Sequence, residues 1–408
     1  MKYIKLKTKI PNQKDVDYVD KLLEIEPRSM HGQLPIVWAK AKDCNVYDRH
    51  GNKFLDFTSG ICVTNAGHGN TAVVKALKNQ LDKPLLYTYT FPHEVRYKFI
   101  KKLVSHTKLD KAFLVSSGTE ATECAVKLMR LNGMAISPTK NKIISFYDSM
   151  HGRTALTQQL KGKDDEWVGY KDPNIIHIPF PEDEYDRFGD ALLRAYMGKL
   201  HDICGVIIES YQGWSARFLP DRYIKDLVSS VRAMQGLICF DDVQAGLGRT
   251  GKNFGYEHYK IKPDLVCLGK GISGSVPLAA VIGKKEIMDI PHKGSMSSTH
   301  SANPLSCAAG LAVLNQLPHL TSLAKAKESI LKKGLTSLPD RFIINGRGLV
   351  WAIMTKGKAE ADKIVLECFK RGLLLIHTGR NSIKIAPPLT ITKAALEEGL
   401  KVIREVVL

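Results

Sequence analysis

The sequence contains no Cys-x-x-Cys pair. Its eight cysteines, at positions 44, 62, 124, 204, 239, 267, 307 and 368, are scattered, and several lie inside apolar runs. Such spacing excludes a zinc ribbon and argues against a disulfide framework, so the thiols read as reduced, buried small hydrophobes of a cytoplasmic protein. No metal site is expected. No run approaches the roughly 18 apolar residues of a membrane span. The segment Met1 to Lys14 alternates lysine with apolar side chains and lacks an uninterrupted apolar core, so a secretory signal is not expected either. Acidic residues are in short supply: 41 Asp and Glu against 59 Lys and Arg give a net charge of +18. That excess attracts anions in general. The lysines are nonetheless spread along the chain, without the basic-aromatic block of a nucleic-acid module. Solubility is the simpler reading of the charge. Internal repeats and low-complexity tracts are absent as well.

A chain of 408 residues that is 44% hydrophobic can bury a sizeable core and hold two or more domains. Apolar, strand-like runs at Ala112–Val115, Lys142–Phe146, Ile203–Glu209, Gly236–Asp241 and Asp264–Gly269 alternate with amphipathic helical stretches. This pattern implies an α/β fold, with a mainly parallel sheet covered by helices on both faces. Ligands of such sheets bind at the carboxyl ends of the strands. Beyond about residue 300 the pattern changes to long helices and short strands, at Leu349–Met354 and Ser382–Ala386, around a helix near Ala359–Arg371. The expected organisation is an N-terminal segment of a small lobe (1–57), a large ligand-binding domain (58–298) and a small α+β domain (299–408).

Lys270 ends one of the apolar runs, flanked by Gly269 and Gly271, and Asp241 ends another. An amine nucleophile and an acid, each at a strand terminus, suit a Schiff-base lysine and a partner for a pyridinium nitrogen, which points to pyridoxal phosphate. Val243 would press on a ring face, and Gln244 would hydrogen-bond a ring hydroxyl. Ser117-Gly118-Thr119 follows another strand and opens a helix, offering backbone N–H groups and the positive end of a dipole to a phosphate. Taken alone, each feature has a bland reading: a solvated lysine, a strand-end cap, a helix N-cap. Their joint placement after strand ends outweighs those readings.

The segments Asp241-Asp242-Val243-Gln244-Ala245-Gly246-Leu247-Gly248-Arg249-Thr250-Gly251 and Pro263-Asp264, followed by Lys270, carry a family resemblance. So do Ser117-Gly118-Thr119-Glu120-Ala121, His151-Gly152-Arg153-Thr154, Ser298-Thr299 with Asn303-Pro304, and Pro387-Pro388-Leu389. In this order, across nearly the whole chain, they resemble the class III pyridoxal-phosphate aminotransferases, the group of the 4-aminobutyrate, ornithine and acetylornithine enzymes. The resemblance implies fold type I and a homodimer with shared active sites. It makes Lys270 the Schiff-base and proton-moving lysine, Asp241 the partner of the pyridine nitrogen, and Gln244 the partner of the ring oxygen. Ser117, Gly118 and Thr119 would bind the phosphate, reached by Thr299 from the neighbouring subunit. Met150 and His151 would lie beside the cofactor. Arg153 would bind a substrate carboxylate, Glu209 would pair with a second arginine, and Ile61 would line the substrate site. The Ser59–His68 segment most resembles the 4-aminobutyrate enzymes.

Three positions depart from the family pattern. Met150 stands where an aromatic usually stacks on the cofactor, with Tyr147 as the nearest substitute. Ser210 replaces the proline after Glu209, which is expected to loosen that turn. Lys384 replaces the arginine ahead of Pro-Pro-Leu, and a lysine lacks the bidentate fork for a carboxylate; Arg380 is the nearest alternative. The reading is an aminotransferase acting on an amino acid or ω-amine such as 4-aminobutyrate, with a keto acid or aldehyde as acceptor. An acetylornithine or ornithine type, or an amino-acid racemase of the same fold, are the alternatives.

Overall fold

The apolar runs become strands because β-branched and aromatic side chains pack well on a pleated surface. In chain order they are β1 (Trp38–Lys42), β2 (Asn45–Asp48), β3 (Lys53–Asp56), β4 (Lys111–Val115), β5 (Lys142–Phe146), β6 (Ile175–Ile178), β7 (Ile203–Glu209), β8 (Leu237–Asp241), β9 (Leu265–Leu268), β10 (Ala279–Gly283), β11 (Ile343–Arg347), β12 (Val350–Met354), β13 (Leu373–Leu374), β14 (Ile376–His377) and β15 (Ser382–Ile385). The computed structural model describes residues 2–162 and 169–408. These residues form two units.

The larger unit comprises Ala72–Gly213 and Arg217–Pro318. Its seven-stranded sheet has the order β4-β10-β9-β8-β7-β5-β6. The five strands β5 to β9 pair in parallel, and β10 lies antiparallel between β4 and β9. Successive side chains on a strand point to opposite faces, and both faces are covered here. Val206, Ile208, Ile238, Phe240, Val266 and Leu268 enter one core. Cys204, Ile207, Cys239, Leu265 and Cys267 enter the other. The cysteines are packing residues, as expected: burial pushes the Cys204 thiol up to about 12.

The smaller unit joins the residues through Thr71 to Trp214–Ala216 and His319–Leu408. It holds two four-stranded sheets, β1-β2-β3-β13 and β11-β12-β15-β14. The divisions therefore fall after Thr71 and Pro318, not at residues 57 and 298 as the change of pattern suggested. The reason lies in the Pro304–Thr336 helix, which runs through Pro318 without a break. Cys307, Val313, Leu314 and Leu317 of its first half belong to the larger core. Leu320, Ala324, Leu331 and Leu335 belong to the smaller one. One helical period serves both cores, so the pattern does not change at the boundary. Among the described residues, no helix is long and apolar enough to cross a membrane.

Candidate active site

The parallel register sets carboxylates side by side at strand ends in the larger unit. Glu209 on β7 is paired with Asp241 on β8, and Asp241 with Cys267 on β9. The chain leaving β9 then passes close to two other elements. A Cβ on Gly269 would lie 3.2 Å from Val243 Cγ1 and 3.4 Å from Gly118 Cα. One on Gly118 would lie 2.9 Å from the same Val243 methyl. The two glycines thus let the end of β9, the segment after β8 and the Gly118–Ile136 helix converge. Lys270 emerges from this point at φ +46°, in the left-handed region that non-glycine residues seldom adopt. Such strain persists where surrounding structure over-determines the backbone, often at functional sites. The half-buried lysine has no hydrogen-bond or ion-pair partner among the described residues.

Asp241 is 5% exposed, and both of its oxygens are engaged. Oδ2 lies 2.8 Å from His151 Nδ1, and Oδ1 accepts the Val243 N–H at 3.1 Å. His151 Nε2, on the far side of the ring, is buried without a partner among the described residues. Next to Asp241, Asp242 is fully buried, and desolvation raises its carboxyl to about 7. Ser210 Oγ hydrogen-bonds to it, and the Gly255 N–H donates at 2.6 Å. The Tyr259 hydroxyl donates to the Ser210 carbonyl at 2.6 Å. Serine in place of proline therefore does not loosen this turn: its hydroxyl fastens the turn to a buried carboxyl that proline could not reach.

The N-terminus of the Gly118–Ile136 helix carries a capping box. Ser117 Oγ accepts the Glu120 N–H at 3.4 Å, while Glu120 Oε2 accepts the Ser117 N–H at 2.7 Å. The bond from Ala121 N–H to the Ser117 carbonyl, at 3.2 Å, opens the helical ladder. The N–H groups of Gly118 and Thr119 precede it and are free for an anion. Thr119 Oγ1 lies 2.9 Å from the hydroxyls of both Thr154 and Thr157. The hydroxyls of Ser117 and Thr119 thus serve the protein, while the backbone N–H groups of Gly118 and Thr119 have no partner among the described residues.

Glu209 accepts two backbone N–H groups, from Met150 and Gly213, each at 3.1 Å. Met150 is 37% exposed, and Tyr147 packs on His177 with ring centres 5.4 Å apart. Gln244 approaches the same turn: a Cβ on Gly213 would lie 2.7 Å from its Nε2. Arg153 is exposed and has no partner among the described residues. Thr299 is exposed too, and the preceding Ser298 is anchored by its hydroxyl to Glu120 Oε1 at 3.1 Å.

Ile61 and Lys384 lie in the smaller unit. Ser59, Gly60, Ile61 and Cys62 all have positive φ, a single left-handed turn of a kind L-residues rarely form. Ser59 Oγ holds the turn to the Ala386 carbonyl at 2.6 Å. The turn presents Ile61, 55% exposed, to a cavity of about 670 Å³ that Tyr18, Leu34, Trp38 and Leu375 also line. Lys384 is 4% exposed on β15, opposite Ala352 on one side and Ile376 on the other. The Arg380 guanidinium lies over the Trp214 ring at 4.9 Å. Reading the sequence missed Thr122, Glu123 and Thr157, which grip the loop after His151. The i, i+3, i+4 spacing of Thr119, Thr122 and Glu123 was the available signal.

A sequence profile of the family described as Aminotransferase class-III matches residues 28–407. The chain is 33% identical to an acetylornithine aminotransferase of Bacillus subtilis, over 92% of this chain and 96% of that one. It is 34% identical to an acetylornithine aminotransferase of Methanocaldococcus jannaschii, over 92% and 94%. Its fold matches an ornithine aminotransferase from Toxoplasma gondii with a TM-score of 0.84 at 27% identity, covering 99% of this chain and 96% of that one. The chain belongs to the class-III aminotransferases, and its cofactor is pyridoxal phosphate. The residues fit that group: a braced carboxylate for a ring nitrogen and, without partners among the described residues, a lysine amine and the N–H groups of a helix N-terminus whose glycine leaves no room for a Cβ.

Proposed function

We propose that Lys270, Asp241 and the Ser117–Thr119 turn form the catalytic centre of an aminotransferase whose donor is the terminal amine of an amino acid, of the N-acylornithine or ornithine type. One observation carries the reading: Lys270, without a partner among the described residues, leaves a strained backbone three residues past Cys267, the strand neighbour of Asp241, whose carboxylate His151 braces at 2.8 Å. When bound, pyridoxal phosphate supplies an aldehyde that carries the amino group and a ring that takes up the electron pair released at the substrate carbon. Lys270 Nζ would anchor that group and would act as the base that moves the proton at the substrate carbon. Asp241 keeps a proton on the ring nitrogen, and His151 holds Asp241 in place. The N–H groups of Gly118 and Thr119 bind the phosphate. Val243 lies against the glycines of the site and supports a ring face, Gln244 contributes at the ring oxygen, and Met150 supplies a polarizable side chain in place of an aromatic stack.

Arg153, exposed and without a partner among the described residues, is suited to a substrate carboxylate. Glu209 is held by two backbone N–H groups and acts as a fixed acceptor. Lys384 and Ile61 are further candidates for substrate selection. We further propose a cytoplasmic homodimer in which Thr299 completes the partner's phosphate site; the exposed Leu85, Leu86, Tyr87, Tyr89 and Phe91 support an apolar interface. A terminal amine is common to the 4-aminobutyrate and acetylornithine readings, and the curated relatives' names favour the second. The test is a donor panel of N-acetylornithine, ornithine and 4-aminobutyrate, each mixed with the purified holoenzyme without acceptor. Stoichiometric conversion of the cofactor's visible spectrum, fastest with N-acetylornithine, is expected. Catalytic inversion of a chiral amine without that conversion would overturn the reading in favour of a racemase.

A further inference from the structure

We propose that Thr157 and Glu123 are positioning residues that set the orientation of Arg153. They do so by fastening the loop on both sides of it to one face of the Gly118–Ile136 helix. The inference rests on the reading of Arg153 as the carboxylate-binding residue. Positions i, i+3 and i+4 share a helix face, and Thr119, Thr122 and Glu123 occupy such positions. Thr122 Oγ1 donates to the His151 carbonyl at 2.6 Å, ahead of Arg153. Beyond Arg153, Glu123 Oε1 accepts from Thr154 Oγ1 and from the Thr157 N–H, the latter at 3.3 Å. The hydroxyls of Thr119, Thr154 and Thr157 lie 2.9 Å from one another in a closed triangle. The Thr154 N–H donates to Thr157 Oγ1 at 3.2 Å. Because the single hydroxyl proton of Thr154 goes to Glu123, that carboxylate gives the triangle a direction.

Gly152 sits directly on this triangle. A Cβ there would lie 2.1 Å from Thr119 Oγ1 and 2.4 Å from Thr157 Oγ1, and its φ of +148° excludes other residues independently. The backbone is therefore fixed at His151, Gly152, Thr154 and Thr157, while the side chain of Arg153 between them has no partner among the described residues. Bidentate recognition of a carboxylate depends on the direction of the guanidinium fork. A fixed backbone beneath a free side chain supplies that direction at little entropic cost. Removing the Thr157 hydroxyl leaves the Thr154 N–H without an acceptor and opens the triangle. Carboxylate binding then suffers, whereas the proton transfer at Lys270 does not.

The test compares Thr157→Val, Thr157→Ser and Glu123→Gln with the wild-type holoenzyme, and Arg153→Ala as reference. Thr157→Val should raise KM for a carboxylate-bearing donor about tenfold, the effect of losing one hydrogen bond's worth of alignment, with kcat nearly unchanged. KM for an alkylamine lacking a carboxylate should stay constant, Thr157→Ser should restore the wild-type value, and Glu123→Gln should act in the same direction as Thr157→Val. A second readout needs no turnover: limited trypsin cleavage after Arg153, mapped by mass spectrometry, should be faster in Thr157→Val and normal in Thr157→Ser. Equal cleavage, or an equal kcat loss with both donors, would assign Thr157 a merely structural role and overturn the proposal. If Arg153→Ala raises KM and Thr157→Val does not, the positioning proposal alone fails. If Arg153→Ala leaves KM unchanged, the carboxylate reading fails first and the proposal falls with it.

Discussion

His151 and Asp241 meet at 2.8 Å between Nδ1 and Oδ2, both buried, one from the loop after β5 and the other from the end of β8. The histidine and the Val243 N–H together orient the carboxylate. A hydrogen bond to a charged group is worth ~1.5–3 kcal/mol. His151→Ala should therefore weaken cofactor binding by roughly one to two orders of magnitude, as read by absorbance titration of cofactor-free protein. Asn can reach Asp241 from the same side as Nδ1, so His151→Asn should recover part of the affinity. Unchanged affinity in His151→Ala would remove the pair from the cofactor site.

Lys270 combines a chemical and a conformational demand. Lys270→Ala should lose turnover and the visible band of the lysine-bound cofactor, and borohydride should no longer label the peptide holding this position. Labelling at one lysine in the variant would show that the assignment is wrong. The left-handed backbone adds a second outcome. Glycine adopts φ +46° without strain and alanine does not, so cofactor-free Lys270→Gly should be more stable than Lys270→Ala by about 1 kcal/mol. Denaturant midpoints of the two variants measure this directly.

Much of this arrangement is legible in the sequence because it depends on strand ends. Asp241 and Lys270 each close an apolar run, and parallel pairing then sets Glu209, Asp241 and the residues after Cys267 in one row. The antiparallel β10 was not legible, since Ala279–Gly283 is an apolar run whose direction nothing local specifies. The division of the chain was hidden because the Pro304–Thr336 helix keeps one periodicity through both cores. The bracing role of Ser210 is hidden in the sequence because its partner, Asp242, lies 32 residues away and becomes a neighbour only when β7 pairs with β8. The grip of Thr122, Glu123 and Thr157 on the Arg153 loop likewise depends on tertiary contact.

Lys384 is buried on β15, and Arg380 is already stacked on Trp214. Arg380 is thus a poor substitute for the family's arginine at position 384. If the absence of a bidentate fork limits an α-carboxylate acceptor, Lys384→Arg should lower KM for 2-oxoglutarate several-fold, within the ~1.5–3 kcal/mol of a charge-assisted hydrogen bond. Forcing the larger guanidinium into a packed strand should lower stability at the same time, by about 1–3 kcal/mol. Unchanged kinetics with that acceptor would remove Lys384 from acceptor selection.

Asp242 makes stability depend on pH with a sign that can be worked out. Its carboxyl titrates at about 7 in the folded protein, against 3.8 when solvated, chiefly because it is buried. Between those values the native state holds a proton that the unfolded chain has released. Stability therefore falls as pH rises through this window, and the loss is complete above about pH 7. At ~1.36 kcal/mol per pH unit the full effect is on the order of 4 kcal/mol. Asn at this position stays neutral and its Oδ1 can still accept from Ser210, so Asp242→Asn should flatten the urea midpoint of cofactor-free protein between pH 5 and 8 relative to wild type. Ser210→Ala removes a hydrogen bond that favours the charged carboxylate. It should extend the decline to higher pH, whereas a decline ending at lower pH would contradict the assignment of this titration to Asp242.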